Sequence, residues 1–124
     1  MELIYHYTSG QHLEKILAKG ELIVSEWEKK NNVKPPALWL STNPIWENTA
    51  TKLIIENGEI KQLTKEEQYQ RLGLIRFILE FKKNILCSWA KYKHKSNTTI
   101  QVYEKMEQDG IIQGANPKEW FASF

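Results

Sequence analysis

The sequence predicts an α+β domain in which short strands alternate with short helices. Three observations carry that prediction. Apolar runs rich in aromatic and β-branched residues recur at Leu3–Tyr7, Ala37–Ser41, Leu74–Phe81 and Glu119–Phe124. Segments with apolar residues at helical spacing, opened by capping residues and closed by glycines, lie between them. The 124 residues suit one domain, 1–124, around one core, with no linker, internal repeat or low-complexity tract.

Leu3–Tyr7 reads as a strand. Thr8 is a good N-cap, and Gln11 three positions on completes a capping-box pattern. Leu13, Ile16 and Leu17 then share a helix face, and Gly20 suits a left-handed C-cap. The apolar run Leu22-Ile23-Val24 follows, then a polar stretch from Ser25 to Lys34 that reads as a loop or short helix. Pro35-Pro36 stops any helix there and leads into the strand Ala37–Ser41. Thr42-Asn43-Pro44 reads as a capped turn opening a helix to about Leu53.

Asn57-Gly58 predicts a hairpin between Leu53–Ile55 and Ile60–Leu63. Thr64 and Glu67 form a capping box for a short helix through Arg71, closed by Gly73. Leu74–Phe81 has the clearest alternation and predicts a strand central to the sheet. Asn84–Tyr92 reads as strand or sheet edge and Lys93–Asn97 as loop. Asn97 or Thr98 caps a helix carrying Ile100, Tyr103 and Met106 or Glu107, which Gly110 ends. Gly114–Pro117 is a tight turn before the last strand.

Composition bounds the function classes. A net charge of +2 does not by itself argue for a nucleic-acid partner. Lys82, Lys83, Lys91, Lys93 and Lys95 do cluster with Trp89, Tyr92 and His94, a pattern that suits either a solvated lysine-rich surface or a single-strand track with stacking aromatics. Cys87 is the single cysteine, which excludes an intramolecular disulfide. No apolar run approaches the roughly 20 residues of a membrane span, and no secretory n-region opens the chain, so a cytoplasmic protein without membrane partner is expected. His6, His12 and His94 lack metal-site spacing, and no nucleophile elbow or phosphate-binding glycine loop is present.

The polar groups at predicted strand ends are His6, Thr8, Ser41, Thr42, Asn43 and Glu119. A neutral imidazole can donate one hydrogen bond to a ribose hydroxyl and accept another, a Ser or Thr hydroxyl can orient a carboxylate, and a carboxylate can stabilise an oxocarbenium-like centre. That set suits cleavage of an N-glycosidic bond. Spacing alone favours the plainer reading of unrelated polar strand termini, with His6 a half-buried strand histidine.

Tyr5-His6-Tyr7-Thr8, with the helix ending Ile16-Leu17-Ala18-Lys19-Gly20 and then Leu22, resembles the opening of ADP-ribosyltransferases. Leu38-Trp39-Leu40-Ser41-Thr42-Asn43-Pro44 resembles that family's second block, an aromatic strand ending in Ser-Thr, and a late Glu-aromatic strand is also similar. The His-x-Thr opening looks closest to bacterial toxins that ADP-ribosylate DNA bases, and less close to RNA 2′-phosphotransferases. The resemblance implies an ADP-ribosyltransferase-like split mixed β-sheet with short helices, holding NAD as substrate between its halves. It implies that His6 bonds an NAD ribose, that the Tyr7 backbone holds the nicotinamide carboxamide beside Thr8, and that Ser41 and Thr42 shape the nicotinamide pocket. Trp46, Tyr69 or Tyr7 would stack on the ring. Glu119 would stabilise the cation as nicotinamide leaves and orient a nucleic-acid or protein acceptor. Two departures stand out: Tyr7 occupies a position that is often Gly, and Pro117 stands where a second acidic or amide residue often precedes the Glu.

Two rival readings remain. One is a non-catalytic member of the same fold that binds nucleic acid or protein through Lys82–Lys95. The other is an RNA 2′-phosphotransferase, which would want more arginines than Arg71 and Arg76.

Overall fold

The computed structural model describes residues 1–22, 24, 30, 36–96 and 99–124. The predicted Ser25–Lys34 loop therefore lies largely outside the described residues, as do Ile23, Pro35, Asn97 and Thr98. In chain order, β1 (Leu3–Ser9) runs through a 3-10 turn (Gly10–His12) into α1 (Leu13–Lys19). Next come β2 (Leu38–Ser41), a 3-10 turn (Asn48–Ala50), and the hairpin of β3 (Leu53–Glu56) and β4 (Glu59–Gln62). Then follow α2 (Lys65–Arg71), β5 (Leu74–Glu80), β6 (Cys87–Ser88), α3 (Trp89–Lys95) and α4 (Ile100–Ile112), a 3-10 turn (Pro117–Glu119) and β7 (Trp120–Ser123). The result is an α+β arrangement of antiparallel sheets and short helices.

Local chemistry decides several elements. Asn57 (φ 53°) and Gly58 (φ 78°) both take the left-handed conformation that a two-residue hairpin turn demands. The Thr64 hydroxyl accepts from the Glu67 amide while the Glu67 carboxylate accepts from the Thr64 amide, so α2 starts on a complete capping box. Gly20 closes α1 at φ 71°.

Other expectations gave way to tertiary pairing. Thr8 is no helix cap: β1 runs on to Ser9 because β5 pairs with it all the way to Ser9↔Leu74. The chain turns at Gly10, where an added Cβ would stand 2.7 Å from the Leu72 carbonyl oxygen. No helix spans residues 45 to 53. The Asn43 side chain accepts from the Ile45 and Trp46 amides and Glu47 accepts from the Thr49 amide, so side chains satisfy the donors a helix would have used. The stretch expected to be edge strand to Tyr92 and then loop is mostly α3, capped by Ser88. Gly110 does not end the last helix. It lies inside α4, against the Trp120 indole.

The sheet runs β5-β1-β2-β7-β6, and each pairing among the described residues is antiparallel, where a mixed sheet was expected. β5 is an edge strand, not a central one. Its clear alternation suggested a central strand, yet it pairs with β1 alone and Ile78 is 54% exposed. Along the sheet, pairing is uneven. β1 meets β5 from Leu3↔Glu80 to Ser9↔Leu74, and β2 meets β7 from Leu38↔Ser123 to Ser41↔Trp120. β1 and β2 meet at one pair alone, Tyr5↔Ser41. The sheet thus has a seam, with β5-β1 on one side and β2-β7-β6 on the other. The buried core, Ala37, Cys87, Trp89, Tyr92, Tyr103, Trp120 and Ala122, belongs to the second side.

Candidate functional site

The seam opens into a cleft of about 700 Å³. Tyr5 to Thr8 of β1 line one wall and Leu38 to Ser41 of β2 the facing one. His12 and Lys15 come from the turn and helix after β1, Glu47 and Lys52 from the segment after β2, and Trp89 and Trp120 from the core.

His6 spans the seam. Its Nδ1–H donates to the Trp39 carbonyl oxygen at 2.8 Å, so a side chain makes the cross-strand bond that the ladder does not. A carbonyl only accepts, which places the proton on Nδ1 and leaves Nε2 of the neutral ring as an acceptor. Burial pushes the His6 pKa below its usual 6.5; the Trp39 carbonyl opposes that shift, and the charges of Lys52 and His12 add to it. The ring is therefore held neutral with one nitrogen committed and the other able to accept from a hydroxyl.

The same cleft holds a buried carboxylate that the sequence did not mark out. Glu47 is 7% exposed. Its Oε1 accepts from the Ser41 hydroxyl at 2.9 Å, and its Oε2 from the Thr49 hydroxyl at 2.6 Å, the Thr49 amide at 3.2 Å and the Trp120 indole N–H at 3.2 Å. A carboxylate offers about four lone-pair positions. Oε2 is saturated, whereas Oε1 retains acceptor capacity among the described residues. The Ser41 hydroxyl also accepts from the Asn43 amide at 3.1 Å, so Ser41 and Glu47 are mutually fixed. The sequence signal was Glu-x-Thr directly after an Asx turn, where a carboxylate accepts from an amide two residues on. The predicted helix masked it.

His6, Tyr7, Thr8 and Ser41 line this cleft together. Thr42, Trp46 and Glu119 are not among its lining residues. Thr42 uses its amide to donate to the Glu119 carbonyl oxygen at 3.0 Å, extending the β2–β7 pairing. Glu119, expected to open the last strand, instead ends the 3-10 turn Pro117–Glu119, one residue before β7 begins at Trp120. Trp46 is buried and packs edge-on against the Tyr7 ring at 5.1 Å, with its indole N–H donating to Thr51. Tyr7 in turn donates its hydroxyl to the Asn43 carbonyl oxygen at 2.5 Å. Trp46 thus props Tyr7, and of the aromatic residues lining the cleft Trp89, Trp120 and Tyr7 are buried, whereas Tyr5 and Trp39 are partly exposed. Tyr69, also considered for stacking, does not line the cleft and is 68% exposed.

The proposed single-strand track changes character. Trp89 and Tyr92 are 4% and 3% exposed, inside the core, so neither can stack on a base, and Lys93 is paired with Glu107 at 2.7 Å. Among the described residues no group of three or more His, Cys, Asp or Glu is arranged to hold a metal, and no helix is long and apolar enough to cross a membrane. Comparison with protein-family models, curated proteins and solved structures gave no match.

Proposed function

We propose that the seam cleft binds NAD and that the protein is an ADP-ribosyltransferase-like enzyme. The bond between the nicotinamide nitrogen and C1′ of its ribose would break, and ADP-ribose would pass to a macromolecular acceptor. The observation that carries this reading is the presence, in the lining of one cleft of about 700 Å³, of both a neutral histidine and a buried carboxylate. A split sheet with His on one lip and a strand-end Ser on the other is also what the resemblance of the two sequence blocks implies.

The chemistry follows from the groups present. His6 Nε2 accepts from a ribose hydroxyl, which fixes the sugar. The aromatic wall shields the bond from water and receives the planar nicotinamide. As the bond lengthens, positive charge grows at C1′, and a preorganised carboxylate in a water-poor site stabilises it more than water would. Glu47, not Glu119, is the carboxylate available for that role, acting directly or through the Ser41 hydroxyl it holds.

The test is nicotinamide release from NAD by the purified protein, followed chromatographically beside calorimetric NAD binding. Release by the parent chain, with binding weakened in His6→Ala, supports the reading. Binding without release would leave a nucleotide-binding module, a reading favoured by the number of donors already on Glu47. Neither binding nor release would end it.

A further inference from the structure

We propose that Lys52, His12 and Lys15 form a seat for a diphosphate group, so that the cleft takes a nucleoside diphosphate moiety end-on. The assignment deepens the NAD reading by naming what would hold the phosphates, and it requires no bond cleavage.

Three observations converge on it. All three cationic or protonatable side chains line the cleft, from two separate chain segments. Lys52 is half-buried, and among the described residues it belongs to no ion pair. The two carboxylates that also line the cleft are engaged elsewhere: Glu47 by Ser41, Thr49 and Trp120, and Asp109 by Lys105 at 3.2 Å. A desolvated ammonium without a counter-charge is costly unless a ligand supplies one.

The backbone around Lys52 is held for the purpose. Its amide donates to the buried Gln68 side chain at 2.7 Å, and its carbonyl accepts from the Leu63 amide at 3.0 Å and the Gln62 side chain at 3.1 Å. Bonds to the peptide groups on either side of the Lys52 Cα fix where the side chain starts, which lowers the entropy lost on binding. The surrounding charge agrees. Burial alone lowers the pKa of Lys52; burial first, and then the charges of Lys52 and Lys15, lower that of His12, which places His12 within reach of both ammonium groups. A diphosphate carries the opposite charge and accepts from several donors at once.

Isothermal calorimetry with inorganic pyrophosphate, ADP and adenosine tests this on the full chain. ADP is expected to bind more tightly than adenosine, with pyrophosphate competing. Lys52→Met should weaken ADP about tenfold or more, as loss of a charge-assisted bond does, while adenosine is unmoved. Lys52→Arg should retain most ADP affinity, and His12→Gln should weaken ADP less than Lys52→Met. Melting temperatures establish that each variant folds, and if Lys52→Met does not, Lys15→Gln with His12→Gln carries the comparison. Equal affinity for ADP and adenosine, or ADP affinity unchanged in folded variants, overturns the seat. Pyrophosphate bound while ADP is not would show a free-anion site and overturns the nucleotide assignment. If ADP binds as described while NAD is never cleaved, the seat stands and the transferase reading falls.

Discussion

The two sides of the seam are stabilised by different means. The β2-β7-β6 side rests on packing: Trp89 meets Trp120 at 5.3 Å and Tyr103 at 5.7 Å, both edge-on, in a buried cluster. The β5-β1 side rests on a long ladder and an aromatic prop, with Tyr7 against Trp46 and Arg76 over Tyr5 at 5.2 Å, and its outer strand leaves Ile78 and Leu79 partly in solvent. Glu47 is bound entirely by residues of the packed side or its own loop, while His6 comes from the laddered side and reaches across. The two sides share one ladder pair, Tyr5↔Ser41, and are otherwise joined by side chains, His6 to the Trp39 carbonyl and Tyr7 to the Asn43 carbonyl and Trp46, so the cleft opens where the ladder lapses. A carboxylate can then be fixed by one side and an imidazole by the other, with open space between.

That contrast can be broken most severely on the packed side. Trp120→Ala removes a core ring and the indole donor to Glu47, and should cost about 3–5 kcal/mol in denaturant unfolding. Gly110→Ala places a Cβ 2.6 Å from the Trp120 ring, and should cost about 1–3 kcal/mol by overpacking. It should also weaken NAD binding, because the displaced indole no longer holds Glu47. The laddered side should respond less. Tyr7→Phe deletes one hydrogen bond to Asn43, worth about 0.5–1.5 kcal/mol. Ile78→Thr, on the exposed edge, should stay within about 0.5 kcal/mol. If the edge change cost as much as the core change, the two sides would not differ as described.

A pH experiment sharpens the comparison at the seam itself. The His6 pKa is lowered on folding, mainly by burial, with Lys52 and His12 adding and the Trp39 carbonyl opposing. Between the lowered value and 6.5 the unfolded chain binds more protons, so stability is complete above 6.5 and is lost as pH falls through that window. The melting temperature should therefore drop on acidification from neutral pH, and the drop should be shallower in His6→Gln. An identical slope in both proteins would place the titration elsewhere.

What was legible in the sequence was local. The Asn57-Gly58 turn, the Thr64–Glu67 capping box and the Gly20 cap each depend on residues within a few positions, and each formed as read. What was not legible depended on distance along the chain. The Glu47 carboxylate bonds Trp120 across 73 positions, and nothing near residue 47 announces that. The edge position of β5 and the extension of β1 through Thr8 likewise follow from which strands pair. Ser41 was visible as a strand-end polar group because strand ends can be read from periodicity; His6, read as a strand end, lies within β1, and its bond across to Trp39 could not be read.

The most direct measurement is nicotinamide release from NAD by three folded variants assayed side by side: His6→Ala, Glu47→Gln and Glu119→Gln. The account predicts that release is lost in the first two and retained in Glu119→Gln, whose side chain lies away from the cleft. Release abolished by Glu119→Gln and kept by Glu47→Gln would contradict it.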